Sequence, residues 1–252
     1  MTRDDRITIA AIAILAMCVA TVAHEAVGHG TACLLLGGRI TQLTSVYFDC
    51  SRHNIWLPAA GPLGDLAAAA LSWLLLRFVP LGNPKRRLFL AATMAFSLFW
   101  AAGYLLYSAV TGEGDNAIVA RLLFGAPDWP WRIGLFVLGA ALYRIGISAT
   151  ASALRPFAQS RGRLRAVLLT TFLSGSIFAV IAAALYAPDR IASAIQGALE
   201  IGAGSLPLAV LAFRMPANAD PHEAWIVANP FWIAGAAILF TAFASSLGRG
   251  LP

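Results

Sequence analysis

Apolar runs of about twenty residues recur along the whole chain, and no other feature restricts the possible folds as strongly. A helix needs about 20 consecutive apolar residues to cross the hydrocarbon core of a bilayer. The composition agrees, since 59% of the 252 residues are hydrophobic, 12% are charged and the mean hydropathy is +0.74. In soluble domains about a quarter of the residues are charged. The sequence therefore predicts an all-α polytopic membrane protein.

About seven transmembrane helices are predicted, joined by short polar loops. Their expected ranges are 7–36, 59–79, 88–110, 132–153, 166–187, 191–213 and 231–247. Interleaved apolar and polar residues in 39–58 predict a short β-hairpin after the first helix, and 116–125 is expected to form a short helix. We divide this single membrane domain into residues 1–125, which carry the polar motifs, and a C-terminal four-helix part, 126–252.

The net charge of +6 comes mainly from arginines in short loops between the apolar runs. That distribution follows the positive-inside rule and does not indicate a nucleic-acid partner. The loops 77–87 and 155–165 each hold four basic residues, and two predicted helices separate them. Both loops are therefore expected in the cytoplasm, as is the N-terminus with Arg3 and Arg6. Lipid is the expected surrounding, and the arginine-rich, alanine-rich composition points to the inner membrane of a bacterium. The N-terminal 23 residues also fit a signal peptide, but the apolar run continues beyond them, which favours a span.

Three cysteines, Cys18, Cys33 and Cys50, are not expected to form a disulfide framework. Cys33 is expected to pack as a small apolar side chain. Cys50 and His53 have C-x-x-H spacing, which is only half of a zinc site. His222 lies in a polar loop and is expected to be solvated.

Three ionisable residues, His24, Glu25 and His29, interrupt the first apolar run in the sequence TVAHEAVGHGTACLLLGG. Ionisable groups are costly to place in hydrocarbon, so such groups usually face a protein interior or a water-filled cavity and serve a function. Imidazole and carboxylate are both ligands of zinc in proteins. The first helix is therefore predicted to carry a metal site; the alternative is a satisfied polar cluster that lines a cavity or an ion path.

The five-residue separation of His24 and His29 decides whether they can bind one ion. On a regular α-helix, five positions rotate by about 140°, so the imidazoles would point apart. A π-bulge would absorb the extra residue, and Gly28 and Gly30 make that distortion cheaper. Alternatively, Glu25 and His29 at i and i+4 would share a face, and Glu25 would be a ligand. Ring nitrogens more than about 6 Å apart would exclude a shared zinc ion, because zinc–nitrogen bonds are near 2 Å.

The segment His24-Glu25-Ala26-Val27-Gly28-His29 looks like the H-E-x-x-H helix of zinc metalloproteases with one extra residue. Inside an apolar helix, and ahead of LLLGGRI and extended segments, it resembles the site-2 protease family of intramembrane metalloproteases. Gly61-Pro62-Leu63-Gly64-Asp65, expected at a helix start, is similar to that family's Gly-Pro motif, with Asp where the family has Asn. Gly114-Asp115 is similar to the family's third ligand motif. The resemblance covers residues 10–120.

This resemblance implies a zinc-dependent intramembrane peptidase, or a degenerate relative of one, that cleaves a transmembrane peptide. The residues it implies are His24, His29 and Asp115 as metal ligands, Glu25 as general base, and Asp65 and Asn116 as groups that orient a ligand.

Chain topology independently brings these residues together. The first predicted helix ends on the side where the second begins and where the third ends. His24, Asp65 and Asp115 are therefore expected at one end of the bundle. By the distribution of basic residues, that end faces away from the cytoplasm.

Some of these residues also have structural interpretations. Asp115 could cap the helix that begins at Asn116, and Asp65 could complement a helix N-terminus. Arg144 and Glu200, inside the fourth and sixth predicted helices, could pair, or Arg144 could reach the interface. For the last two we expect structural roles.

The alternative function is a non-catalytic membrane protein, either a pseudoprotease or scaffold, or a metal or proton transporter. A transporter needs polar groups along a path across the bilayer. The last four predicted helices supply only Arg144 and Glu200. This scarcity favours the peptidase.

Overall fold

The computed structural model describes residues 4–217 and 225–251, and the chain is 76% helical. Arg3 and His222 lie outside the described residues. Among the described residues, six helices are long and apolar enough to cross a membrane: Arg6–Leu35, Trp56–Leu76, Pro84–Thr111, Trp129–Phe157, Arg161–Ala184 and Ala187–Arg214. The predicted seventh span is present as the shorter apolar helix Pro230–Ser245. Its crossing of a membrane stays a prediction.

The helical elements in chain order are α1 (Arg6–Val22), a first π-helix (Ala23–Gly30), α2 (Thr31–Leu35), α3 (Trp56–Leu76), α4 (Pro84–Thr111), α5 (Asp115–Phe124), α6 (Trp129–Leu154), α7 (Arg161–Ala184), α8 (Arg190–Gln196), a second π-helix (Gly197–Ala203), α9 (Leu206–Arg214) and α10 (Pro230–Ser245). Two short 3₁₀ turns lie at Arg155–Phe157 and Ala187–Asp189. The predicted short helix corresponds to α5 and is confirmed.

Helix α3 begins earlier than the sequence predicts. Its first residue is Trp56, whose backbone N–H donates to the Asn54 side-chain oxygen over 2.7 Å. Gly61 and Pro62 therefore lie inside the helix, and the prediction of a helix start there is wrong. Pro62 has no backbone N–H and cannot donate a helical hydrogen bond, yet the helix runs through it from Trp56. This extra turn carries Gly61 alongside the first π-helix.

Helix α4 is the centre of the bundle. In the most apolar 18-residue stretch of α4, 78% of the residues are buried, against 17% in the most apolar 18-residue stretch of Trp129–Phe157. Helix α4 packs against α1, α3 and α6, and Phe96, Phe99 and Trp100 on α4 are almost completely buried. A single core therefore joins residues 1–125 to residues 126–252. The central position of α4 also brings its aromatic side chains to the first π-helix.

A buried ion pair holds the end of the bundle where α1 begins. Arg163 Nε and Nη2 donate to the two carboxylate oxygens of Asp4 over 2.6 and 3.0 Å. The guanidinium carbon of Arg163 also lies 4.2 Å from the Trp225 ring centroid. The backbone N–H of Ile226 donates to Asp4 over 2.8 Å. These contacts join the start of α1 to α7 and to the segment before α10.

The predicted β-hairpin is present at the opposite end of α1. Strands β1 (Ile40–Leu43) and β2 (Phe48–Cys50) pair antiparallel, and Leu43 also pairs with Leu251. Strand β2 returns Cys50 to Cys33, and the two cysteines form a disulfide.

The prediction of no disulfide, with Cys33 as an unlinked apolar side chain, is therefore wrong. The hairpin brings together two residues that are 17 positions apart in the sequence, and their spacing alone does not indicate this pairing. Cys18 is free and buried.

Candidate metal centre

The first π-helix turns His24 and His29 towards the same point. A π-helix has i→i+5 hydrogen bonds, so residues five positions apart share a face. The imidazole centroids lie 5.0 Å apart. One nitrogen of each ring and a carboxylate oxygen of Asp115 lie within 4.8 Å of one another. The π-bulge interpretation of the spacing is confirmed, and the separation is below the limit of about 6 Å for a shared zinc ion.

Each imidazole is held through Nδ1, which leaves Nε2 facing Asp115. His24 Nδ1–H donates to Asp65 Oδ2 over 2.7 Å, and His29 Nδ1–H donates to the Leu57 carbonyl over 2.8 Å. Hydrogen bonds of this kind set the tautomer and the ring orientation of metal-binding histidines. Asp65 lies inside α3 and not in its first turn. The interpretation of Asp65 as a group that only complements a helix N-terminus is therefore wrong.

Asp115 is the first residue of α5 and directs its carboxylate at both imidazoles. Its Oδ2 atom lies 3.2 Å from His29 Nε2 and 3.6 Å from His24 Nε2. Gly114 occupies the capping position and the Asp115 side chain makes no capping bond, so the capping interpretation is wrong. Burial would raise the pKa of Asp115, but hydrogen bonding by the two imidazoles holds it at about 2. Asp115 is therefore an anion at neutral pH.

The donor set of His24, His29 and Asp115 fits a divalent metal ion. With Nδ1 protonated, each neutral imidazole presents the lone pair of Nε2, and a carboxylate is also purely an acceptor. At 3.2 and 3.6 Å from Asp115 Oδ2, the two Nε2 atoms either donate protons to the carboxylate or, where they present lone pairs, need a cation between them and the carboxylate. Protonating both rings would place two imidazolium groups side by side. A single divalent ion satisfies all three acceptors, so this cluster could hold a metal.

Glu25 lies beside this cluster without belonging to it. The side chain is 3% exposed and lines the same cavity as the three candidate ligands. The groups found among residues 4–217 and 225–251 that could hold a metal do not include Glu25. The alternative with Glu25 as a ligand is therefore not the observed arrangement. A carboxylate in this position is available for proton transfer.

Glycines allow the first π-helix and α3 to touch through their backbones. A Cβ atom on Gly28 would lie 2.4 Å from the Ala60 carbonyl oxygen, and one on Gly61 would lie 2.3 Å from His29 Nε2. Real Cβ atoms essentially never approach other atoms within 3.0 Å. Glycine at both positions therefore allows the first π-helix and α3 to approach closely, and the Gly61 backbone lies against the Nε2 atoms of His24 and His29.

Aromatic side chains from two other elements orient the imidazoles. The Trp100 ring of α4 stacks on His24 with a centroid distance of 4.4 Å and an interplanar angle of 4°. Phe48 of β2 stacks on His29 at 5.3 Å. The Tyr104 hydroxyl accepts from the Asp115 backbone N–H over 3.2 Å. The sequence analysis missed these residues because none belongs to a recognised motif.

A cavity of about 710 Å³ opens on the candidate ligands. Its wall includes residues of the hairpin, of the segment before α3, and of α5. Gln196 and Glu200, from the C-terminal half, also line it. Glu200 lies on the second π-helix, and its side chain is buried. Glu200 therefore lies on the wall of this cavity, whereas a structural role was expected for it from the sequence. The signal was available, since GALEIGA resembles AHEAVGHG as a glycine-containing apolar segment around one glutamate.

The structure also describes Arg144, the Cys50–His53 pair and Asn116. Arg144 does not pair with Glu200 and instead donates to the Ser148 hydroxyl on the exposed face of α6. Cys50 of the C-x-x-H pair is in the disulfide and is not available as a zinc ligand with His53, in line with the expectation that this pair is not a metal site. Asn116 makes no hydrogen bond to a candidate ligand in the described structure, and its Nδ2 atom is buried without a partner there. Its orienting role stays a prediction.

Comparison of the chain with protein-family models, with curated proteins and with solved structures found no match. The function is therefore inferred from the fold and from the geometry of the site.

Proposed function

We propose that this protein is an integral membrane, zinc-dependent peptidase of the site-2 protease type. The observation that carries the proposal is the convergence of two imidazole nitrogens and one carboxylate within 4.8 Å. A buried glutamate that is not among these ligands lines the same cavity. The two histidines and this glutamate lie on a helix that is apolar enough to cross a membrane.

The donor set supports zinc as the ion. Two imidazoles and one carboxylate are a known ligand set of catalytic zinc, and three protein ligands leave the fourth position for water or substrate. When bound, zinc supplies Lewis acidity, which polarises a substrate carbonyl and lowers the pKa of water to about 7.

Residues of this chain orient the ligands and move the proton. Asp65 and the Leu57 carbonyl hold His24 and His29 through Nδ1. Glu25 takes a proton from the attacking water and returns it to the leaving amine. Proton transfer by a positioned side chain contributes about 10²–10⁴-fold in rate.

Two features support a membrane location with the site away from the cytoplasm. The basic loops lie at the end of the bundle opposite the site, as the positive-inside rule requires of cytoplasmic loops. The disulfide between Cys33 and Cys50 lies near the site, and disulfides form in oxidising compartments. We assign the protein to the bacterial inner membrane, with the cavity on the outer side.

The substrate in this proposal is a transmembrane or membrane-adjacent peptide. The cavity wall combines the polar site with apolar side chains such as Leu57, Ile118 and Leu122, which suit an apolar peptide segment. A helical substrate has to unwind locally to present a carbonyl. Lipid surrounds the apolar faces of the bundle.

Metal content provides the first test. Zinc is measured by mass spectrometry in the detergent-purified full-length protein, prepared without chelator. We expect close to one zinc per chain in the wild type, and loss of zinc in His29→Ala and in Asp115→Ala. His53→Ala, an imidazole that lines the cavity outside the cluster, is the matched control and should retain zinc. Loss in His29→Ala alone would remove Asp115 from the ligand set, and a wild type without metal would overturn the zinc assignment.

Hydrolysis provides the second test. Apolar helical peptides are reconstituted with the protein in vesicles, and cleavage is followed by mass spectrometry. Glu25→Gln should retain zinc and lose about 10²–10⁴-fold in rate. Asp49 is another carboxylate of the cavity wall, and Asp49→Asn should retain both zinc and the hydrolysis rate. Zinc binding without hydrolysis of any peptide would favour the pseudoprotease or scaffold. Movement of zinc or protons across the vesicle membrane would favour the transporter.

A further inference from the structure

A second cavity of about 330 Å³ adjoins the candidate metal centre. It shares Tyr47, Gln196 and Glu200 with the wall of the first cavity. Its other lining residues are Tyr107, Glu113, Gly114, Ala192, Ile195 and Leu199. A ligand that occupies the first cavity can therefore reach the second along Glu200.

The wall of the second cavity has the chemistry of a cation site. It carries two carboxylates, Glu113 and Glu200, and none of the described residues that line it is basic. Tyr47 and Tyr107 add two aromatic rings, whose faces attract cations. The apolar side chains on α8 and the second π-helix suit the methylene stem of a long basic side chain.

Glu200 independently lacks a charge partner. Its side chain is 4% exposed, and its Oε1 atom accepts from the neutral Gln196 amide over 2.9 Å. No ion pair joins Glu200 to another described residue, and Arg144 bonds to Ser148 instead. Burying a carboxylate without a cation costs free energy. A buried carboxyl group without a cation therefore favours its neutral form, and a cationic group in the adjoining cavity would stabilise the charged form of Glu200.

We propose that this second cavity is a subsite for a lysine or arginine side chain of a peptide bound at the candidate metal centre, with Glu200 as its principal anion and Glu113 as its second. The description of that peptide as a substrate rests on the proposed peptidase function. Binding of a basic side chain at the subsite can be tested independently of hydrolysis, because a bound peptide need not be cleaved.

The test is a binding measurement on the full-length protein in detergent, carrying Glu25→Gln to prevent turnover. The probes are fluorescent apolar helical peptides in which one lysine moves from position to position. Each has a partner with norleucine, which keeps the stem and removes the charge. At one position we expect the lysine peptide to bind about tenfold more tightly, as measured by anisotropy, because hydrogen bonds to charged groups are strong when desolvated. Adding Glu200→Gln should reduce this preference below about threefold.

Two matched variants keep the result specific. Asp49→Asn removes a carboxylate that lines only the first cavity, and the lysine preference should remain. Glu113→Gln removes the exposed carboxylate of the second cavity and should weaken the preference, which preserves the test if Glu200→Gln does not fold.

Absence of a lysine preference at every position would overturn the subsite, as would a preference that survives both Glu200→Gln and Glu113→Gln. Zinc binding and hydrolysis without a lysine preference would remove only the subsite. A lysine preference without zinc or hydrolysis would keep the subsite and remove the peptidase.

Discussion

The two π-helices, Ala23–Gly30 and Gly197–Ala203, show the same backbone distortion used for different chemistry. Each lies inside a helix that is apolar enough to cross a membrane, and each places a buried glutamate, Glu25 or Glu200, on the wall of one cavity. In the first, residues five apart are histidines and their nitrogens converge. The second carries no metal-binding partner for its glutamate. A π-helix therefore aligns side chains five positions apart, and the residue types decide whether the aligned groups could hold a metal ion.

The two segments also differ in how tightly their neighbours hold them. Gly28 in the first π-helix lies against the backbone of α3, with no space for a Cβ atom. In the second, a Cβ atom on Gly197 would lie 3.0 Å from Ala183 Cβ, which is a milder overlap, and one on Gly202 would meet its nearest neighbours at 3.7 and 3.8 Å, which is ordinary contact. Ligands of one ion must be held within narrow distance limits, and the first segment has the closer packing that this requires.

The largest expected effect comes from filling the contact at Gly28. In Gly28→Ala, the new methyl group would overlap the Ala60 carbonyl oxygen, so the helices must separate. We expect loss of roughly 3 kcal/mol or more of unfolding free energy, at the upper end of overpacking effects, together with loss of bound zinc. Gly202→Ala and Gly30→Ala are the controls, because both have room for a Cβ atom. If Gly28→Ala retains zinc and stability, close packing does not position the ligands.

The next effect concerns the covalent link between α2, which follows the first π-helix, and the hairpin. Removing the disulfide in Cys33→Ser should lower the unfolding free energy by about 3 kcal/mol, since the closed loop spans 17 positions. Denaturant unfolding in detergent measures the change. Reductant should destabilise the wild type to the same extent and leave Cys33→Ser unaffected. An effect of reductant on the variant would show that it acts elsewhere.

A smaller effect on zinc affinity is expected from the side chains that hydrogen-bond to His24 and to Glu200. Asp65→Asn weakens the acceptor at His24 Nδ1 and should reduce zinc affinity about 10- to 100-fold, as measured by chelator competition. Gln196→Leu removes the corresponding hydrogen bond at Glu200 and should leave zinc affinity unchanged. Equal losses in both variants would indicate general destabilisation of the cavity.

The smallest expected change in unfolding free energy tests whether Glu200 is without an ion-pair partner on α6. Arg144 is exposed and contacts Ser148, so Arg144→Gln should change the unfolding free energy by no more than about 0.5 kcal/mol. Thermal unfolding in detergent measures this change. A loss several times larger would mean that Arg144 balances the charge of Glu200, and the second cavity would then have no need of an external cation.

The predictions of helices and of the hairpin that the structure confirms came from local sequence patterns. Apolar runs identified the long helices, interleaved polarity identified the hairpin, and the run after Gly114 identified α5. The five-residue spacing of His24 and His29 left a π-bulge as one of two alternatives, and the structure shows the π-helix. The order of the helices alone was enough to expect Asp65 and Asp115 at the same end of the bundle as these histidines.

The sequence by itself thus determined the apolar helices, the ligand types and the end of the bundle where they meet, because these depend on composition, spacing and chain direction. Only the tertiary structure decided that Cys50 bonds to Cys33, that Trp100 stacks on His24, and that Glu200 joins the same cavity. These contacts link residues far apart in the sequence, and each depends on how one helix is rotated against a neighbouring helix or against the hairpin. Packing sets that rotation, and no local pattern records it.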